Sequence, residues 1–311
     1  MTRSTRVTID PKEAARCLLS GGMVAIPTET VYGLGALATN VEAVGDVFTA
    51  KGRPVDHPLI VHVDGLEMAR RYGDVEGVAA RLATALWPGP LTLIVERTPL
   101  VSSVVTGGRE TVAIRVPDHP LALAVIKECG EGIVAPSANR FGHVSPTDAQ
   151  HVISDLGGRI DMVLDGGPCR VGVESTIVDC TNGLQILRPG LVSEDDIERC
   201  SGERVAPASG PSRAPGMLIS HYAPRARVVL VQSEDLAKEA TRRESADGKS
   251  VVTVGIGLSA EKYAADLYRL LRRADDAGAE CVVAVSPVGG GIAAAVRDRL
   301  SKAAADASGR R

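Results

Sequence analysis

The chain has 311 residues, of which 44% are hydrophobic and 23% charged, so it is long enough to bury two cores. A formal net charge of −3 argues against a protein whose main task is non-specific nucleic-acid binding, because such domains are usually strongly basic. No apolar run approaches the roughly 18 residues of a membrane span, and the first six residues lack a signal-peptide apolar segment, so we expect a cytoplasmic protein.

Helix and strand signals alternate in the first part of the chain, which predicts an α/β domain. One helix begins after Asp10 and ends at Gly21, and a second begins after Asn40 and ends near Gly52. The further predictions are strands at 58–63, 91–96, 111–116, 162–164, 174–180 and 184–188, with helices near 75–86 and 120–129. Because Asn182-Gly183 is a hairpin signal, residues 1–205 are expected to form a twisted, mixed, open sheet.

A second, smaller domain is predicted after a linker. Residues 206–225 are rich in Pro, Ala, Ser and Gly, which cannot continue a helix or a central strand. Residues 226–311 then alternate strands and helices in a Rossmann-like, three-layer α/β order. Its strands are expected at 226–231, 250–256 and 280–286, and its helices at 233–243, 259–275 and 291–305. The glycines 289–291 are interpreted as a plain turn without a ligand.

A candidate site lies where the strand before Pro27 ends in a polar, glycine-punctuated turn. This turn offers hydroxyl and carboxylate groups, and Lys51 and Arg53 follow at the end of the next helix. Most lysines and arginines at helix ends are solvated surface charges. Here a glycine lies between the two and a proline follows, so their backbone is restrained, and the Arg53 fork suits phosphate oxygens. The segment predicts a small polar ligand bound beside phosphate.

Two later segments carry similar groups. Ser137 and Asn139 follow another predicted strand, and a helix start with Ser145 as its cap comes next. Simple capping accounts for Ser145 alone, but its neighbours favour a phosphate or ribose there. Paired hydroxyls at 175–176 open a strand, and Arg188 lies on its hairpin partner. Hydroxyl-rich strands can also be merely β-favouring, so this last signal is moderate by itself.

These motifs together resemble the threonylcarbamoyl-adenylate synthase (YrdC-type) family. The resemblance rests on Pro27-Thr-Glu-Thr-Val-Tyr-Gly-Leu-Gly35, Lys51-Gly-Arg-Pro54, Pro136-Ser-Ala-Asn139 and Glu174-Ser-Thr-Ile-Val-Asp179. The linker segment Ala214-Pro-Gly-Met-Leu-Ile-Ser-His-Tyr-Ala-Pro224 and the α/β unit after it are similar to the two-domain form of that family. The first domain would then be a YrdC-like catalytic domain, and the linker a lid over its site.

The resemblance implies an enzyme that converts L-threonine, bicarbonate (or CO2) and ATP to threonylcarbamoyl-adenylate and pyrophosphate. This is the first step of threonylcarbamoyladenosine formation at position 37 of tRNA. Lys51 and Arg53 would neutralise the triphosphate, with Mg2+ entering on ATP and no dedicated protein cage. The six scattered cysteines lack metal-ligand spacing and are interpreted as free thiols. The product would pass to a tRNA threonylcarbamoyl-transferase complex, and direct tRNA contact is left open.

Residue roles come from aligning the motifs. The positions implied for L-threonine are Thr30, His62, Arg115, Ser137 and Ser175, with Arg115 suited to the α-carboxylate. The positions implied for ATP are Lys51, Arg53, His57, Thr111, Asn139, Ser145, Arg188 and, in the linker, His221 and Tyr222.

Two departures from the family pattern lie near the nucleotide. His57 replaces a common asparagine, and would make ATP affinity sensitive to pH between about 6 and 7 if it must be protonated. The neutral segment 218–220 replaces a charged run, which should loosen the lid or leave its role to Arg213 and Arg225.

Other classes of function remain open. An RNA-binding or regulatory protein of the same fold, without turnover, is the alternative, although net acidity and few aromatic residues count against RNA binding. Carbamoyl-transfer maturation enzymes reuse this kind of domain, but they carry zinc-finger-like and acylphosphatase-like segments that this chain lacks.

Overall fold

The computed structural model describes residues 4–208 and 222–305. Helices in these ranges are α1 (Pro11–Leu19), α2 (Val41–Lys51), α3 (Leu66–Tyr72), α4 (Gly77–Leu86), α5 (Ser103–Thr106), α6 (Pro120–Cys129), α7 (Ala149–Leu156), α8 (Glu194–Ser201), α9 (Glu234–Ala246), α10 (Ala260–Asp276) and α11 (Ile292–Ala305). Strands are β1 (Arg6–Thr8), β2 (Val24–Ile26), β3 (Gly33–Leu37), β4 (Ile60–His62), β5 (Leu91–Glu96), β6 (Thr111–Arg115), β7 (Ile133–Val134), β8 (Met162–Leu164), β9 (Thr176–Asp179), β10 (Leu184–Arg188), β11 (Val205–Ala206), β12 (Arg227–Val231), β13 (Val251–Val254) and β14 (Cys281–Val285).

Within the described ranges, eleven strands form one sheet in the order β1-β8-β2-β3-β7-β4-β6-β5-β9-β10-β11. The sheet is mixed, as predicted: β4 and β6 run parallel, whereas β5 and β6 run antiparallel. The hairpin expected at Asn182-Gly183 is confirmed, because β9 and β10 pair antiparallel across it, and Gly183 has a φ of 76°. Because β3, β4, β6 and β7 are neighbours, the polar ends of these segments meet.

Local signals account for the helix that carries the candidate phosphate residues. Asn40 accepts a hydrogen bond from the Ala43 amide at 3.1 Å and so caps α2. Gly52 ends the helix in the left-handed conformation, with a φ of 63°, as its sequence position predicts. Lys51 therefore occupies the last helical position, and Arg53 follows the turn. Helix α3 was not predicted, and its N-cap, Gly65, provides no side-chain hydrogen bond.

The smaller unit has the predicted three layers. Strands β12, β14 and β13 lie in that order and are all parallel. Cys281 and Val283 of β14 pack in one cluster with alanines of α9, whereas Val282 packs with residues of α10 and α11 on the other face. β14, the last of the three strands along the chain, thus lies at the centre of this sheet. Part of the predicted linker, residues 209–221, lies outside the described residues, and the domain boundaries at 205 and 225 stay a prediction.

The two units share a hydrophobic cluster. Val31, Val144 and Val173 from the first unit pack with Leu267 and Tyr268 of α10. Gly172 lies against the backbone of this helix: a Cβ at Gly172 would contact the Ala264 carbonyl oxygen and lie 2.6 Å from Ala265 Cα. The second unit therefore packs directly on the segment that leads into β9.

None of the described helices is long and apolar enough to cross a membrane.

Replacing Gly172 with alanine should destabilise the protein more than replacing Gly167. Both glycines have a left-handed φ, 80° and 76°, but a Cβ at Gly167 meets nothing within 4 Å. Gly167→Ala should therefore lower the free energy of unfolding by only about 1 kcal/mol, because of the strained backbone conformation. Gly172→Ala should lower it by roughly 3 kcal/mol, because the new methyl group also clashes with α10. Thermal unfolding of the two variants measures the difference. Equal melting temperatures would contradict the close contact between Gly172 and α10.

Candidate active site

A cavity opens where the ends of β4 and β6 meet the segments that precede β3 and β9. Of the residues predicted from the sequence, eight line it: Thr30, Arg53, His62, Arg115, Ser137, Ser175, Arg188 and Tyr222. Three others, Lys51, Asn139 and Ser145, are buried and contact the residues or the backbone of its wall. Segments separated by more than a hundred residues thus form one polar site.

Arg115 and Thr30 form one half of this site. Arg115 is buried and donates to Thr30 Oγ1 at 2.9 Å and to the Gly89 carbonyl at 3.2 Å. Its Nη2 lies 2.6 Å from Glu29 Oε1, a buried ion pair that lacks hydrogen-bond geometry. The sequence indicated Glu29 as part of the strand-end turn but assigned it no role. Glu29 orients Arg115 and compensates its charge, so a substrate carboxylate here must share the guanidinium with Glu29.

His62 lies beside this pair as a neutral side chain. Its Nδ1 is 3.3 Å from the Ile60 carbonyl oxygen. Burial, followed by the positive charge of Arg115, lowers the pKa of His62 to about 3. A neutral imidazole can orient a hydroxyl or an amine without adding charge.

Ser175 joins this half of the site to the other. Its hydroxyl lies 2.7 Å from Thr92 Oγ1 and accepts a hydrogen bond from Arg188 Nη2 at 3.0 Å. Arg188 Nε also donates to the Ser175 carbonyl at 3.0 Å. Arg188 is therefore held in a bidentate contact with a single serine, and its position is set by β9 and β10.

Lys51 stabilises the turn that carries Ser137 and Asn139. Its Nζ donates to the carbonyls of both residues, at 2.5 and 2.6 Å. Burial, followed by the charge of Arg53, lowers the pKa of Lys51 well below its usual value. The head group thus lies behind the turn instead of extending into solvent from the helix end.

Arg53 and Asn139 each present a buried polar atom to this region. Arg53 Nη2 donates to the Pro58 carbonyl at 3.1 Å, but its Nε has no hydrogen-bond partner among the described residues. Asn139 Nδ2 donates to the Arg140 and His143 carbonyls, and Asn139 Oδ1 is unpaired within the same residues. Burial lowers the pKa of Arg53 to about 10, which leaves it cationic at neutral pH. Buried unpaired polar atoms are rare, and here they are one donor and one acceptor suited to a polar ligand.

The predicted cap at Ser145 is wrong. Helix α7 begins later, and Asp148 caps it by accepting from the His151 amide at 2.9 Å. Ser145 is fully buried, and its hydroxyl donates to Glu174 Oε1 at 2.6 Å. The Pro146 and Thr147 carbonyls accept instead from the Tyr32 and Cys169 amides, so Ser145 lies behind Glu174 in the wall and not at a helix end.

The remaining ATP positions are Thr111, Tyr222 and His221. Thr111 starts β6 and shares a face of the strand with Ala113 and Arg115, because side chains alternate. Tyr222 lines the cavity with a left-handed φ of 64°. His221 lies outside the described residues. Across those residues, no group of three or more His, Cys, Asp or Glu side chains could hold a metal ion.

His57 lies near Arg53, and both approach the Phe141 ring, at centroid distances of 5.4 Å for His57 and 5.9 Å for the Arg53 guanidinium carbon. Burial, followed by the charge of Arg53, lowers the pKa of His57 below its ordinary value. The imidazole is therefore mostly neutral at pH 7, and its protonation requires a lower pH than the sequence suggested.

We expect the KM for ATP to fall as the pH drops through the lowered pKa of His57 in the unaltered protein but not in His57→Asn. Protonation adds a positive charge near the phosphates only below the lowered pKa, so the two proteins should behave alike above about pH 7. KM profiles from roughly pH 5.5 to 8 measure this, with the variant correcting for protonation of ATP itself. Parallel profiles would mean that His57 acts only as a neutral donor.

Known proteins with similar sequences cover nearly the whole chain. Residues 16–190 match the profile of the Sua5–YciO–YrdC family, described as "Telomere recombination", and residues 192–305 match "Threonylcarbamoyl-AMP synthase, C-terminal domain". A threonylcarbamoyl-AMP synthase of Pyrococcus abyssi is 40% identical over 93% of this chain and 92% of its own length. That of Bacillus subtilis is 41% identical over 96% and 94%.

A solved structure agrees with these matches. Pyrococcus abyssi Sua5 complexed with L-threonine superposes with a TM-score of 0.89 at 37% identity, over 98% of this chain and 97% of that one. The agreement extends over both units of the fold and includes the strands that carry the cavity. The chain therefore belongs to the Sua5–YciO–YrdC family, in the form with a second, C-terminal domain.

Proposed function

We propose that this chain is an L-threonylcarbamoyladenylate synthase, which makes threonylcarbamoyl-AMP and pyrophosphate from L-threonine, bicarbonate and ATP. The observation that carries the proposal is one cavity whose walls combine Arg115, Thr30 and Ser175 with the cationic Arg53. Relatives that match over more than nine-tenths of this chain bear the name threonylcarbamoyl-AMP synthase, and a solved relative holds L-threonine. The cavity therefore places charged and hydroxyl side chains that can bind an amino acid beside a cation that can bind phosphate.

The reaction requires positioning and charge stabilisation more than a reactive side chain. The amine of threonine adds to the carbon of CO2 and loses a proton to form a carbamate; from bicarbonate, the same carbamate forms with loss of water. A carbamate oxygen then attacks the α-phosphorus of ATP, and the bond to the β-phosphate oxygen breaks as pyrophosphate leaves. Arg115, with Glu29 beside it, would hold the α-carboxylate, and neutral His62 and Ser175 would orient the polar groups. Arg53 would stabilise the charge that moves onto pyrophosphate.

Mg2+ would enter with ATP and neutralise charge on its phosphates. Asn139 would hold it through Oδ1, because this buried oxygen is unpaired within the described ranges and amide oxygens are ligands that Mg2+ accepts. Lys51 would hold the turn that carries this oxygen.

The decisive measurement is pyrophosphate release from ATP by the purified protein with Mg2+ and bicarbonate, with L-threonine or without an amino acid. Threonine-dependent release, with threonylcarbamoyl-AMP detected by mass spectrometry, would establish the synthase. No release above background under either condition would refute it and favour an RNA-binding or regulatory role. Release that does not depend on threonine would also refute it, because the protein would then cleave ATP without making the adenylate of threonine. We further propose that the enzyme works in the cytoplasm and that its product passes to a tRNA threonylcarbamoyl-transferase complex.

L-serine should be a slow substrate in the same assay. Serine lacks one methyl group, and a missing methyl in a pocket is worth only about 1–3 kcal/mol, or roughly 10- to 200-fold in kcat/KM. Serine carries the same amine, carboxylate and hydroxyl groups as threonine, so it can make the same polar contacts with the site. A serine rate below about a thousandth of the threonine rate would contradict this expectation.

A further inference from the structure

Glu174 connects the candidate active site to the second domain. It is buried next to Ser175, and its carboxylate accepts hydrogen bonds from Ser145 Oγ at 2.6 Å, Tyr268 OH at 2.8 Å and Arg299 Nε at 2.8 Å. Glu174 lines the cavity and Ser145 lies behind it in the first unit, whereas Tyr268 and Arg299 project from α10 and α11. Two side chains of the second domain therefore complete a hydrogen-bond network that begins in the first.

This network is ionic as well as buried. Burial by itself would raise the pKa of Glu174, but the charges of Arg299 and Arg188 and the hydrogen bond from Ser145 lower it to about 2. Arg299 is almost fully buried and also donates from Nη2 to the Pro189 carbonyl at 3.1 Å. A buried ion pair contributes little net stability compared with apolar packing, so stabilisation of the fold does not by itself account for the pairing of Arg299 with Glu174.

The same two side chains hold Tyr222. The Arg299 guanidinium carbon lies 5.2 Å from the centroid of the Tyr222 ring. The Tyr268 ring stacks on the Tyr222 ring, with 5.9 Å between the two centroids. Tyr222 has a left-handed φ of 64°, a conformation that costs a non-glycine residue about 1–2 kcal/mol. Its contacts with Arg299 and Tyr268 offset this strain, and its ring lines the cavity.

We propose that Arg299 and Tyr268 are positioning residues of the second domain, which hold Tyr222 and, through Glu174, Ser145 in the geometry that binds ATP. This rests on the proposed function, because the ATP site is part of it. The second domain is then required for nucleotide affinity and does more than pack against the first. Both residues act through others, since the contacts that place them are with Glu174 and Tyr222.

A second ion pair between the same two domains provides a matched control. Arg272 of α10 pairs with Asp155 of α7 at 2.8 Å, and both side chains are largely buried. The side chains that donate to Glu174 are Ser145, Tyr268 and Arg299, and Asp155 is not one of them. Asp155→Asn therefore removes the charge of one interdomain partner and leaves the three donors to Glu174 in place.

The test compares R299M, Y268F and D155N by melting temperature, by calorimetric ATP binding and by steady-state kinetics with ATP and threonine varied separately. We expect R299M to weaken ATP binding by roughly tenfold or more and Y268F by about threefold, with D155N near the unaltered protein. A rise in KM for ATP that exceeds any rise in KM for threonine would support positioning, because general loosening affects both substrates.

The proposal is overturned if R299M and Y268F bind ATP like the unaltered protein, or if D155N weakens ATP binding as much as R299M. Should R299M fail to fold, Y268F gives the answer, because it removes only the hydroxyl and keeps the stacked ring. Failure of the proposed function is separate: the unaltered protein would then release no pyrophosphate, while calorimetry of ATP binding would still test Arg299.

Discussion

Arg53→Ala is expected to reduce threonine-dependent pyrophosphate release by about a hundredfold or more, while the melting temperature changes little. Arg53 lines the cavity, remains cationic although buried, and has an unpaired Nε among the described residues. Its fork can contact phosphate oxygens at two points as charge moves onto pyrophosphate. The fall should appear mostly in kcat, because this interaction strengthens in the transition state.

Two further variants make this result specific. Arg53→Lys keeps the charge but loses the fork, and should recover only part of the activity. Arg170→Ala removes a surface arginine, 70% exposed, whose partner is Asp118, and should leave the rate unchanged. If Arg53→Ala keeps more than about a third of the activity, the phosphate site must be elsewhere.

Lys51→Met should abolish measurable activity and also lower the free energy of unfolding by about 2 kcal/mol. The change leaves the buried Ser137 and Asn139 carbonyls without their donor, so the turn that holds both residues should shift. Lys238→Met is the control, because Lys238 is exposed and forms a short-range pair with Asp235. Loss of activity with unchanged stability would instead mean that Lys51 acts only through its charge and does not stabilise the turn.

The pH dependence of stability provides a second readout for Lys51. Its pKa is lowered in the folded protein, so the unfolded chain binds more protons between that pKa and the unfolded value of about 10.4. Raising the pH through this window should stabilise the unaltered protein relative to Lys51→Met, whereas lowering it should reduce the difference. Chemical denaturation of both proteins between roughly pH 7 and 10 measures the trend. A difference that does not change with pH would show that Lys51 titrates normally.

Features that depend on neighbouring residues were predictable from the chain. Asn40 and Gly52 bound α2 as expected, and the Asn182-Gly183 turn joins β9 to β10. Each depends on hydrogen bonds or backbone preferences within a few residues, which a short stretch of sequence encodes. The resemblance of the motifs likewise identified the side chains that line the cavity. The capping role of Ser145 was wrong because a cap three residues further on, Asp148, competes with it.

Contacts between distant segments were not predictable in this way. No local pattern indicates that Glu29 pairs with Arg115, that Ser145 donates to Glu174, or that the last strand of the second domain lies at its centre. Arg299 and Glu174 are 125 residues apart, and a helical arginine next to Asp298 resembles any surface residue. Burial and pairing of such groups arise only when whole domains pack, because charge compensation in a low-dielectric interior depends on every neighbouring element. Short-range chemistry thus specified the elements and the reactive groups, whereas packing of the two domains set their partners, charges and positions.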